Sequence, residues 1–298
     1  MAIGQSSKGK GVIERTGGVS RTGLARQKTI MRRAEDQDKF ANLGRPNRIW
    51  AVSSIHGERA ALTGLHKQLV QAFQPGDRLV YLGNYLGHGL EIQATLAELL
   101  NVRRALLARP GMEPWDIVYL RGAQEEIWQK LLQLQFAPDP SESLQWGLEQ
   151  GVGATLQAYG GTAEQGLAAI QEGPLALARW TNSLRAAMLA KPGHNALMSA
   201  LRHAALCPER QMLFVHAGLD PSLPLAEQGE ILWWGGGFAS IKQPYQGYQH
   251  IVRGFEQTHS GVHRTDFTTS LDAGCGFGGP LIAACFDENR EIIQLLEQ

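Results

Sequence analysis

Nine histidines punctuate this 298-residue chain, and His56 in SSIHG, His88 in LGNYLGHG, His216 in FVHAG and the pair His259 and His263 in THSGVH all stand in loop-like sequence. Imidazoles in such places bind metals or move protons near neutral pH. A pair of divalent ions held by such imidazoles also needs carboxylates between the ions, and here the neighbouring residues are neutral. Ser53 and Ser54 precede His56, Asn84 leaves the LVYLG run, and Ala123 and Gln124 fill RGAQE. His259 and His263 have the i,i+4 spacing of a shared metal, with Asp266 close by, but Gly261 between them and a strand after them weaken that reading. Cys275 has no base to activate it. The run CGFGGP lacks the Lys-Ser/Thr of a phosphate loop. Trp233 and Trp234, followed by three glycines, read as a strand end packed beneath the loops.

The elements that position these residues alternate. RIWAV and DRLVY are apolar strands, each followed by a helix, with Leu62, Leu65, Leu69 and Phe73 at helical spacing in the first. WDIVYL is a third strand, with RGAQEE as its loop. The Gln-rich stretch from residue 126 to 205 reads as helical, broken by glycines at 151–161. QMLFV, YQHIVR, FTTS and PLIAACF restore strands with Gly turns. Strand, helix, strand order implies a layered α/β fold with function on the loops that follow the strands.

Composition narrows the class. An apolar content of 43% with 19% charged residues suffices for a full core. Three widely spaced cysteines make neither a disulfide framework nor a zinc pattern, which suits a reducing cytoplasm. No apolar run approaches the roughly 18 residues of a membrane span, and no signal-peptide core opens the chain. The zero net charge hides an asymmetry: residues 1–48 hold eleven Lys or Arg against four Asp or Glu, leaving 17 against 24 in the rest. Residues 1–47 are therefore expected to be a basic, largely disordered arm, with a basic helix over residues 24–43, that either solubilises the chain or docks on an acidic partner. No nucleic-acid module is recognisable.

The ordered series SSIHG, LGNYLGHG, RGAQE, FVHAG, VRGFE and DAGCGFGG resembles the calcineurin-like metallophosphatases, in particular the bacterial branch similar to serine/threonine protein phosphatases and diadenosine tetraphosphatases. The resemblance runs from about Arg48 to Phe286. WGLEQGVGATLQAYGG and the stretch after His216 resemble further family segments. It implies a four-layer α/β/β/α sandwich over residues 48–298, with 126–205 as a helical insertion. It also implies a site that has lost its ligands. The family's G-D-x-H-G keeps His56 and Gly57 but has Ser54 for the acid. The bridging acid of G-D-x-x-D-R-G falls on Asn84, and the phosphate-gripping Arg on His88. G-N-H-E reads Gly122, Ala123, Gln124, Glu125, without the ligand Asn or the general-acid His. The V-H-A-G histidine survives as His216, and Arg253 and Phe255 replace the closing imidazoles.

Five of the seven ligands implied by the resemblance are gone, leaving His56 and His216 as remnants. Two close divalent ions repel strongly without carboxylates between them. The expectation is therefore a pseudophosphatase, a scaffold or binding module with no cofactor and an unidentified protein partner, reached through the basic arm. One alternative is a phosphoesterase using one or two divalent metals such as Mn or Fe. Another is a non-hydrolytic sensor of a phosphorylated ligand, gripped by Arg253 and His88.

Overall fold

The computed structural model describes residues 39–298. The arm expected over residues 1–47 lies outside the described residues except at its end, and that end differs from the expected helix. Phe40–Asn42 is strand β1, parallel to β5 (Ala204–Cys207), and Leu43 behind it is buried. The sheet therefore begins before Arg48, because Leu43 is buried between the two sheets and Phe40 packs on the outer side of the six-stranded one.

A five-stranded sheet has the order β11-β10-β2-β3-β4, made of β2 (Ile49–Val52), β3 (Arg78–Tyr81), β4 (Ile117–Tyr119), β10 (Ile282–Phe286) and β11 (Ile292–Glu297). Strands β2, β3 and β4 are parallel and β10 runs against β2. The six-stranded sheet has the order β1-β5-β6-β7-β9-β8, with β6 (Met212–Val215), β7 (His250–Arg253), β8 (His263–Arg264) and β9 (Thr268–Ser270). Here β6, β7 and β9 are parallel.

Side chains alternate across each strand, and this assembles the layers. Ile49, Ala51, Val80 and Leu82 meet Met212, Phe214 and Val252 between the sheets. Trp50, Val52, Leu79 and Tyr81 face the other way, against helices α1 (Arg59–Ala72) and α2 (Ile92–Leu107). On the outer side of the six-stranded sheet, Leu213, Val215 and Ile251 lie under Leu225, Leu232, Phe238 and Tyr245. That covering layer consists of loops and short helical turns, including α9 (Ile231–Trp234). Trp233 and Trp234 thus end a helical turn and not the expected strand. Between β4 and β5 the chain is helical: α3 (Ala123–Leu132), α4 (Pro140–Glu149), α5 (Gly153–Ala158), α6 (Ala163–Glu172), α7 (Pro174–Leu189) and α8 (His194–Ser199). No helix among the described residues is long and apolar enough to cross a membrane.

Candidate functional site

The carboxyl ends of the parallel strands in both sheets converge, and the six sequence segments meet there. His56 follows β2, Asn84 follows β3, Gln124 lies in the first turn of α3 after β4, His216 follows β6 and Phe255 follows β7. His56 and Asn84 both take left-handed backbone conformations, with φ of 52° and 54°. Asparagine tolerates that region better than most residues, and here it turns the chain so that the loop after β3 folds over Glu125.

Glu125 holds this loop. Its carboxylate accepts N–H groups from Asn84 at 2.9 Å, Tyr85 at 2.8 Å, Leu86 at 3.0 Å and Gly122 at 2.8 Å. Burial pushes its carboxyl upward, and the four backbone donors oppose that push. With both oxygens accepting N–H groups, the ionised form is the one this geometry fits. RGAQEE was expected to be loop, yet helix α3 begins at Ala123, because Glu125 also receives the Gly122 N–H at the helix start.

The hydrogen bonds fix the amide and imidazole orientations. Asn84 Oδ1 accepts the Gln124 N–H at 3.0 Å, so Asn84 Nδ2 donates to His56 Nε2 at 3.2 Å. His56 is then neutral, with its proton on Nδ1, and burial keeps its protonation well below the ordinary range. His216 Nδ1–H donates to the Leu82 carbonyl at 2.6 Å, and burial lowers its pKa to about 4. His56 Nδ1, His216 Nε2, Ser54 Oγ and Gln124 Oε1 are buried without partners.

Rings occupy much of the remaining space. Phe255 stacks on His216 with centroids 5.5 Å apart and planes 11° from parallel. Phe277 lies 5.1 Å from His56, 4.4 Å from His88 and 4.2 Å from His259, with the last pair stacked. Sequence reasoning had passed over Phe277, His259 as a separate wall, and Asp272. The signals for them were DAGCGFGG, read there as a Gly-rich loop, and THSGVH, weighed there as a metal pair. His259 Nδ1 lies 2.8 Å from Asp272 Oδ2, while His263 is exposed on β8, so the two do not form the i,i+4 metal pair considered above. Gly151, with φ of 92°, sits against His88, and a Cβ there would come within 2.3 Å of the imidazole Cε1.

Arg253 also departs from expectation. Its guanidinium pairs with Glu256, its Nε donates to Ser270 Oγ at 3.1 Å, and its Cζ lies 4.3 Å from the centre of the Phe238 ring. It is absent from the residues lining the central cavity, whereas His88 is among them. Although burial raises Glu256, hydrogen bonds from Ser260 and Thr258 and the charge of Arg253 hold it at about 2. Arg253, expected to grip phosphate, is therefore turned to an ion pair with Glu256 and away from the cavity lining in this structure. Cys275 is likewise structural: its Sγ lies 3.4 Å from the Ile55 carbonyl and burial raises its thiol to about 12.

This donor set does not fit a pair of divalent ions. Among the described residues no three His, Cys, Asp or Glu side chains converge in an arrangement able to hold a metal. His56 Nε2 is engaged by Asn84, and Phe255 brings no donor beside His216. Asn84→Asp alone is accordingly expected to yield no manganese-dependent hydrolysis of an aryl phosphate. Ser54, Ala123 and Phe255 would still supply no charge or imidazole, and ligands of one centre act as a unit. Turnover well above the buffer rate in that variant would contradict this account of the site.

No family model and no curated protein sequence matches the chain. Solved structures do match. A candidate diadenosine tetraphosphatase is similar at a TM-score of 0.50 and 20% identity, over 87% of this chain and 97% of its own. A cold-active protein tyrosine phosphatase is similar at a TM-score of 0.50 and 13% identity, over 96% of this chain and 87% of its own. At such identities the likeness is one of fold.

Proposed function

We propose that this chain, which has a calcineurin-like metallophosphatase fold, is a pseudophosphatase that works as a binding module or scaffold without two-metal phosphoester hydrolysis. The observation that carries this reading is the Phe255 ring stacked on His216, where the family resemblance calls for a second imidazole. Neutral side chains at Ser54, Asn84 and Ala123 support it, since two ions held together need anionic bridges. On this reading the chain acts by holding a partner protein, and its three buried free thiols suit a reducing cytoplasm.

Elemental analysis of the purified protein tests the proposal. No stoichiometric Mn, Fe or Zn is expected, and a chelator is expected to leave the melting temperature unchanged, because no ligand is removed from the folded state. Manganese-dependent hydrolysis of an aryl phosphate is expected to stay at the buffer rate. About two equivalents of tightly held metal together with turnover would overturn the reading, and about one equivalent with turnover would establish a single-metal phosphoesterase.

A further inference from the structure

The central cavity, about 490 Å³ in volume, is lined by rings, by neutral amides and by one carboxylate, Glu149. No lysine or arginine is among its lining residues. Its imidazoles add no uncompensated positive charge. Burial lowers the pKa of both His56 and His88, and His259 lies 2.8 Å from the Asp272 carboxylate. Glu149 is exposed, and among the described residues its carboxylate takes only the Gln145 amide, at 2.9 Å. It also ends α4, whose last turn holds no basic residue, so the partial negative charge of that helix end adds to its own. Across the cavity the positive end of α3 is already met by Glu125. The balance of charge in this space therefore suits a cation.

The rings suit one too. Trp146 and Trp234 both line the cavity, with centroids 5.4 Å apart and planes 78° from one another, so they form a corner and not a stack. Trp146 is 38% exposed. The same corner borders a neighbouring groove, where Lys130 Nζ lies 5.5 Å from the centre of the Trp234 ring and 2.6 Å from Glu230 Oε1. The protein thus already holds one ammonium by a tryptophan face and a carboxylate. On the cavity side Trp146, Trp234 and Glu149 repeat those components without a lysine. A primary ammonium is strongly hydrated and needs several acceptors when it leaves water. A quaternary ammonium has no N–H to satisfy and loses its water more readily against rings.

We propose that this cavity binds a quaternary ammonium group, seated in the Trp146–Trp234 corner and balanced by Glu149. The inference rests on the reading that no pair of metal ions occupies the cavity, because their charge would repel such a ligand.

Calorimetric titration of the full chain in chelator, at about pH 8 where an ordinary imidazole is neutral, tests it. Choline represents a free small cation, a short peptide carrying trimethyllysine represents a protein-borne one, and the tighter of the two names the source. The uncharged isostere of choline, 3,3-dimethylbutan-1-ol, is expected to bind at least about ten-fold more weakly than the tighter cation. Trp146→Ala is expected to weaken cation binding by about ten-fold or more, with Trp146→Phe retaining most of it. Glu149 is exposed, so Glu149→Gln offers a second variant that leaves the core intact, and it is expected to weaken binding by about three-fold. Absence of binding by both cations, an isostere that binds as tightly as they do, or unchanged binding in folded Trp146→Ala or in Glu149→Gln would each overturn the inference. Metal analysis of the same preparation separates the two levels. Failure to bind in metal-free protein rejects the ammonium site alone, whereas stoichiometric metal rejects the reading beneath it.

Discussion

Replacing Glu125 with alanine is expected to lower the melting temperature by roughly 10 °C or more. The change leaves four buried N–H groups without their acceptor. Each unsatisfied buried donor costs about 1–3 kcal/mol, though local rearrangement keeps the sum below four independent penalties. A total of about 3–5 kcal/mol is consistent with the loss of other buried charged acceptors. In a domain of this size, about 1 kcal/mol moves the midpoint by roughly 2–4 °C. Glu125→Gln keeps one acceptor oxygen and is expected to lose less. Differential scanning calorimetry and urea titration of both variants check the order. A loss below about 1 kcal/mol in the alanine variant would show that the loop after β3 does not depend on this carboxylate.

Mild acid is expected to destabilise the protein before Glu256 titrates. His216 and His250 are both buried, and burial lowers each to about 4. His250 is neutral with its proton on Nδ1, which donates to the Asp266 carbonyl at 3.4 Å, so Nε2 accepts from Thr269 Oγ1 at 2.7 Å. Because the folded pKa lies below the ordinary value near 6.5, the unfolded chain takes up protons first as pH falls. Stability is then full above about 6.5 and declines until pH reaches the folded pKa of about 4. A shift of this size is worth roughly 3 kcal/mol per histidine. Glu256, held at about 2, loses its contribution only at lower pH, below the ordinary carboxylate range. The urea midpoint should therefore fall between about pH 6.5 and 5, where histidines alone among these groups titrate, and His250→Gln should make that fall shallower. A midpoint constant across the interval would mean that these imidazoles accept protons in the folded state.

Strand and helix order was legible because apolar residues recur at clear periods, as in Leu62, Leu65 and Leu69 of α1 or in IWAV of β2. The remnants His56 and His216 and the neutral replacements around them could be placed from motif order. What could not be read was which side chains turn toward one another. Arg253 sits at a ligand position in the motif, yet Glu256 three residues later captures it, and the choice between cavity and ion pair depends on packing against Phe238. Phe277 reaches His56 only because the two sheets bring residues 56 and 277 together. Strand β1 was missed for a related reason: its three residues carry little periodicity, and only pairing with β5 makes them a strand.

The pairing of β10 with β2 has a consequence for how the chain is made. Strands β2, β3 and β4 leave the ribosome early, and with α1 and α2 they can close three adjacent positions of one sheet. The other edge of β2 waits, because Val52 pairs with Ala283 and Trp50 with Cys285. Until β10 has been made an apolar strand edge therefore stands open, with free N–H and C=O groups able to template wrong partners. A polypeptide interrupted after β9 would retain that open edge as a template for wrong pairing.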